Sequence, residues 1–371
     1  MNAYDVLDDG PEIPDDIANL IAETADDMPE QPKAGGLTER FPSVDWDNAW
    51  SQDFSRIDWL PGKLMERGQQ VALVGAGKVG KSIAVLDWCW HCVTGRRFLG
   101  DDEREPLRVL YFDRENNLRD VITRLKAFGA KPDELRDRFV YKLFPRFTGG
   151  LDDSQTAEAE LMALVDEAKP DIVILDTVSR FIGGKENDAD TWLSLYRRVH
   201  APLKDMDIAG VRLDHFGKDY DRGSRGSSAK TQDVDHVWEM KLVSEHVARD
   251  DAYGLETHAT EIKLARTHTR TGLGQDSVMI TRRGVKQPDG IWTEGGTRHL
   301  LSDPGALADA EKTVNHFVAQ LSALGAPTGY GRDKLKQWAK EHGVKLPGNT
   351  TVLGQIVSKY KRLHTPGMLP D

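Results

Sequence analysis

The stretch Gly75-Ala76-Gly77-Lys78-Val79-Gly80-Lys81-Ser82 decides how this chain folds. It fits G-x-x-x-x-G-K-S, and its surroundings are those the pattern needs. The apolar run at 71–74 precedes it and reads as a buried parallel strand. An apolar helical stretch at 83–93, opening on Ile83, follows and stops at Gly95. Strand, glycine-rich loop and helix together make a phosphate cradle. The glycines let backbone N–H groups curl round an anion, and the helix N-terminus adds its positive end. Residues Gly75 to Ile83 are thus expected to hold ATP, with Lys81 on the β- and γ-phosphates and Ser82 on Mg²⁺.

Outward from the loop, apolar runs alternate with helical patterns. Strands are expected at 71–74, 108–112, 140–144, 171–175 and 209–214, and helices at 117–128, 154–168 and 189–204. Several strand runs are continuously apolar, as strands covered on both faces must be. The alternation predicts a parallel sheet. After residue 232 the style changes. Strands at 234–243, 256–267, 277–282 and 290–293 with short links predict an antiparallel extension. A polar break at 302–305 opens a C-terminal module with helices at 307–324, 332–342 and 351–363. The expected class is α/β, a parallel-core sheet with an antiparallel extension, in domains spanning 1–40, 41–301 and 306–371.

The net charge of −11 is unevenly spread: residues 1–40 carry about −9 and residues 331–371 about +5. The acidic tail has few large apolar groups and is expected to be disordered. Trp46, Trp50, Phe54 and Trp59 lead into the fold and are expected to pack at the core edge, with stacking on a nucleotide base as the alternative. Cys89 and Cys92 form C-W-H-C on the helix after the loop. Zinc wants four ligands, so two small side chains on a buried helix face explain the pair better. No apolar run approaches the roughly 20 residues that span a bilayer, and the acidic N-terminus is unlike a secretory or transit leader. A cytoplasmic location without membrane partners is the expectation.

Ligands of open parallel sheets bind at the carboxyl ends of the strands. Asp176, at the end of Ile172-Val173-Ile174-Leu175-Asp176, therefore belongs beside the loop, as a Mg²⁺ partner. Asp113-Arg114-Glu115-Asn116 follows another such run, and Glu115 or Asp113 can orient the attacking water. His215, within Asp214-His215-Phe216-Gly217-Lys218, can sense the γ-phosphate and pass that state to the next loop. Arg222, Arg225 and Lys230 of that loop suit a phosphate backbone. Lys263, Arg266 and Arg270 lie on a later strand and its turn. In a ring of subunits such a cation reaches the neighbour's γ-phosphate. Arg266 is the candidate for that role, with the other two as alternatives.

On these residues, the chain from about 57 to 300 resembles the RecA-like ATPases of the hexameric-helicase branch, and most nearly the RepA-type replication ATPases of plasmids, phages and prophages. The likeness is carried by Gly75 to Ser82, by Tyr111-Phe112-Asp113-Arg114-Glu115-Asn116, by Asp176-Thr177-Val178-Ser179-Arg180-Phe181, and by Asp214 to Lys218 with the loop after it. The resemblance implies a RecA fold in a homo-oligomeric ring, a hexamer, with ATP between subunits. It makes Glu115 the catalytic carboxylate, Asp176 the Mg²⁺ partner and His215 the γ-phosphate sensor. Single-stranded DNA would run through the channel, touching segments near 183–190 and 222–230, and replication proteins would be partners. Two features depart from the pattern: the spacing of Lys263, Arg266 and Arg270, and a segment at 183–188 whose single base is at least matched by acid.

The C-terminal module falls outside that resemblance. An amphipathic helix stopping at Gly343 and a helix ending in Lys359-Tyr360-Lys361-Arg362 suit a helix-turn-helix or winged-helix DNA contact, or a protein-docking module. The expected activity is an ATP-driven helicase or translocase. A strand-exchange recombinase on the same fold and an ATP-switched DNA-binding regulator are the competing readings.

Overall fold

The structure, a computed structural model, describes residues 43–215, 233–249, 254–302, 304–347 and 350–364. The acidic tail and the loop carrying Arg222, Arg225 and Lys230 lie outside the described residues. The chain divides into two compact units, Met1–Ile57 and Asp58–Asp371. In the first, helix α1 spans Trp46–Ser51, capped by the Asp45 side chain on Asn48 N. Trp46, Trp50 and Phe54 are exposed.

The second unit begins with β1 (Gln70–Gly75) and α2 (Lys81–Thr94). There follow β2 (Val109–Asp113), α3 (Leu118–Phe128), α4 (Pro132–Leu135), β3 (Phe139–Leu143), α5 (Gln155–Ala168) and β4 (Ile172–Asp176). Next come α6 (Ala189–Leu195), α7 (Ala201–Asp205) and β5 (Ala209–His215). After the loop run β6 (His236–Arg249), β7 (Glu256–Thr269), β8 (Ser277–Lys286) and β9 (Arg298–Leu301), then α8 (Pro304–Ala323), α9 (Arg332–Glu341) and α10 (Thr350–His364). Helix starts are set by side-chain caps: Asn117 accepts from Asp120 N and Ser154 from Ala157 N. Gly95 and Gly129 end α2 and α3 in the left-handed conformation.

One nine-stranded sheet runs in the order β3-β2-β4-β5-β1-β6-β7-β8-β9. The first six strands pair in parallel; β6 joins β1 in parallel and starts an antiparallel meander through β9. This is the mixed α/β sheet expected of a RecA-like fold. Alternate residues of one strand feed opposite faces. Val109 and Tyr111 join the cluster under α2 and α3, while Leu110 and Phe112 join the one under α5 and α6. Cys89 and Cys92 are buried and free in the first cluster, as the packing reading expects. The C-terminal helices share an apolar cluster of their own, including Leu321, Leu335, Ile356 and Tyr360.

Two expectations fail locally. The helix foreseen over 189–204 is broken: a π-helical turn, Tyr196–His200, separates α6 from α7. Pro202 lacks the N–H that a continuous α-helix would need there. The strand foreseen at 290–293 is cut to one bridge that follows a turn at 287–290. Gly290 N donates to Gln287 O at 2.9 Å, and Trp292 makes one isolated bridge to Lys286. Its ring occupies the space that a Cβ on Gly284 would fill. The ninth strand is Arg298–Leu301, which runs along β8.

Candidate nucleotide site

The site lies where β1, β2, β4 and β5 end. Gly75 closes β1 so near β6 that a Cβ there would stand 2.7 Å from Met240 O. Only glycine permits that approach. The loop arches over to Gly80, which caps α2 with φ 102°, a value L side chains rarely adopt. Lys78 also has positive φ, at 65°.

Lys81, the first residue of α2, is buried, and its Nζ donates to Gly75 O at 2.9 Å and Ala76 O at 3.1 Å. His215 Nδ1 lies 3.2 Å from the same nitrogen. Burial pulls the Lys81 pKa down, opposed by the carboxylates of Asp214, Glu115 and Asp176. The loop carbonyls thus hold the ammonium at the mouth of the cradle.

Asp176 stands opposite. Ser82 Oγ donates to its Oδ1 at 3.2 Å and Tyr111 OH to its Oδ2 at 2.6 Å. Burial pushes the Asp176 pKa up to about 6, helped by Asp113 and Glu115, while the two hydroxyl donors hold it back. A hydroxyl and a carboxylate of this kind are hard oxygen donors suited to Mg²⁺, which keeps several waters and phosphate oxygens as its other ligands. The described residues hold no group of three or more His, Cys, Asp or Glu that could form an all-protein metal cage.

Glu115 reaches the same crevice. Its Oε2 accepts from Thr177 Oγ1 and lies 3.9 Å from His215 Nε2. Glu115 and His215 are each partly exposed, and so reachable by water. Asp113 is different. It is fully buried, and its Oδ1 accepts from Glu115 N at 2.7 Å and Asn116 N at 2.9 Å. Its Oδ2 accepts from Asn116 Nδ2 and Tyr141 OH. This carboxylate braces the turn that presents Glu115, so geometry separates two acids that the sequence leaves as competitors.

Arg266 is placed otherwise than a trans-acting cation requires. Its side chain is buried, donating to Leu273 O and, at 2.8 Å, to Asp276 Oδ1 in the β7–β8 turn. Lys263 and Arg270 are exposed. Tyr111, Tyr141 and Thr177 are site residues the sequence reading missed. Tyr111 has the alternate-residue spacing to Asp113 that puts both on one strand face, and Thr177 directly follows Asp176.

Residues 37–221 match the family described as AAA domain. The matched segment contains the Gly75–Ser82 loop and the strand ends that carry Glu115, Asp176 and His215. A solved KaiC-like protein from the hyperthermophilic archaeon Pyrococcus horikoshii is similar at 12% identity with a TM-score of 0.43, over 67% of this chain and 98% of that one. No curated protein matches. Among the described residues no helix is long and apolar enough to cross a membrane.

Proposed function

We propose that this ATPase is a motor on single-stranded DNA, a helicase or translocase of the RepA type acting in plasmid or phage replication as a ring of identical subunits. One observation supports the reading above others: His215 lies 3.2 Å from Lys81 and 3.9 Å from Glu115, and the segment with Arg222, Arg225 and Lys230 begins just after it. A group touching both the phosphate lysine and the carboxylate is suited to passing the nucleotide's state to a DNA-gripping segment.

In this reading Lys81 exchanges the carbonyls of Gly75 and Ala76 for phosphate oxygens. Glu115, held by Thr177, orients the attacking water and takes its proton. Ser82 and Asp176 would hold Mg²⁺, which would supply charge neutralisation on the transferring phosphate. The neighbouring subunit contributes a cation, for which Lys263, exposed on β7, is the candidate, since Arg266 bonds Asp276 within its own hairpin.

The test is the steady-state ATPase rate with and without single-stranded DNA. A motor is stimulated several-fold. A flat response removes the motor reading and leaves an ATP-switched DNA-binding protein.

A further inference from the structure

The antiparallel extension sends one side chain back to the phosphate loop. Arg282 on β8 lies against Gly80: a Cβ on that glycine would stand 2.6 Å from Nη1 and 3.7 Å from Cζ. The strand directions explain the reach. β8 runs parallel to β1 two strands beyond β6, so its C-terminal half rises past the core on the nucleotide edge. Val278 and Ile280 anchor the same face in the core beneath α2, and Arg282 is the next residue on that face.

The guanidinium is poorly served there. Nη1 is shielded from solvent and has no hydrogen-bond partner among the described residues, while Nη2 has only Thr260 Oγ1 at 3.4 Å. Burial draws its pKa down, Glu245 works against that shift, and Arg124 adds to it. Arg282 also sits at the N-cap of α2, the positive end of the helix dipole, one residue from the ammonium of Lys81. Three positive features converge on one loop with an unused donor between them. A structural brace would use its donors, and a buried unpaired donor carries a desolvation cost that an anion relieves.

We infer that Arg282 is a phosphate-binding residue of this ATPase, donating through Nη1 to an oxygen of the bound nucleoside triphosphate from within the same subunit. The inference rests on the ATPase domain and not on the DNA-motor reading, so the failure of either leaves the other standing. It also gives the antiparallel extension a part in the nucleotide site.

The experiment is equilibrium binding of fluorescent ATP and ADP analogues with Mg²⁺, without DNA, to the full chain and to its Arg282→Ala and Arg282→Lys variants. Thermal unfolding without nucleotide is measured beside it. Arg282→Ala is expected to weaken ATP binding tenfold or more and to make it less salt-dependent, while Arg282→Lys recovers part of the loss. The melting temperature of the nucleotide-free protein stays near that of the parent, and its rise on adding ATP shrinks. Unchanged affinity in a folded Arg282→Ala protein overturns the inference. So does an equal loss in both variants with unchanged salt dependence, which would mark a packing role. If Arg282→Ala does not fold, Arg282→Lys decides through its affinity and salt slope.

Discussion

Two polar clusters lie along β1 and β5, one reaching from mid-strand to the N-terminal edge and one at the C-terminal end, and they are built differently. In the first, Arg212 in the middle of β5 is fully buried and bonds Asp233, which precedes β6, through two nitrogens, at 2.8 and 2.9 Å. Its Nη1 also meets His200 Nε2 at 3.3 Å, and His200 Nδ1 meets Gln70 Oε1 at 3.1 Å. Lys204 closes on Asp235 at 2.5 Å. Each charge there has an opposite charge within the chain. At the C-terminal end, among the described residues Lys81 has loop carbonyls and an imidazole within bonding reach, and Glu115 a threonine hydroxyl and a more distant His215. The first cluster is a brace, completed by folding. The second is left to be completed by an anion and a water.

The comparison breaks most sharply at Glu115 and Lys81. Glu115→Gln should keep nucleotide affinity while hydrolysis falls by roughly 10²–10⁴-fold, the usual worth of a positioned base. Normal hydrolysis would move that role to another carboxylate. Lys81→Ala should lower single-turnover hydrolysis by at least about 10²-fold, and parental turnover would take the loop out of the mechanism. At the other end the loss should appear as stability. Arg212→Ala strands Asp233 in the interior and should cost about 3–5 kcal/mol in denaturant unfolding. The double change Arg212→Met with Asp233→Leu should cost clearly less; equal costs would mean the pair does not act as a unit.

Acid sharpens the contrast further. Burial, and then Arg212, hold the His200 pKa well below its usual 6.5, so the imidazole stays neutral in the fold. The unfolded chain binds a proton that the folded one refuses. Stability is therefore kept above about pH 6.5 and lost as pH falls below it, by up to about 1.4 kcal/mol per pH unit. His200→Gln should flatten that loss between pH 6.5 and 5; an unchanged slope would place the titrating group elsewhere. The smallest expected effect concerns the DNA reading. Replacing Arg222, Arg225 and Lys230 with Ala should reduce the slope of log affinity for single-stranded DNA against log salt by about 2 units, at roughly 0.7 per contact. An unchanged slope would turn attention to the C-terminal helices.

Much of the site is legible before folding because it is local. Gly75 to Ser82 is one contiguous element, and Asp176 and His215 each end a strand whose apolar run announces it. The choice between Asp113 and Glu115 is not legible, since both sit in one turn. What the fold adds is that Tyr141 and the two backbone N–H groups occupy Asp113, while Glu115 stays partly exposed. The run at 290–293 misleads because Ile291 and Trp292 are apolar for a different reason: the Trp292 ring packs over Gly284 and against His258. Arg266 looks like a candidate finger in a linear reading, and only the β7–β8 turn folding back to Asp276 shows that its two terminal nitrogens bond within that turn.

The order of residues alone determined a phosphate loop between strand and helix, a parallel sheet buried on both faces, and acids delivered to its carboxyl edge. Each follows from spacing within a few residues, where sterics and periodicity act without help. Tertiary structure alone decided that Arg282 reaches Gly80, that His215 bridges Lys81 and Glu115, and that Arg212 meets Asp233. Those pairings join residues far apart along the chain, and only the register of neighbouring strands sets which side chains then share a face.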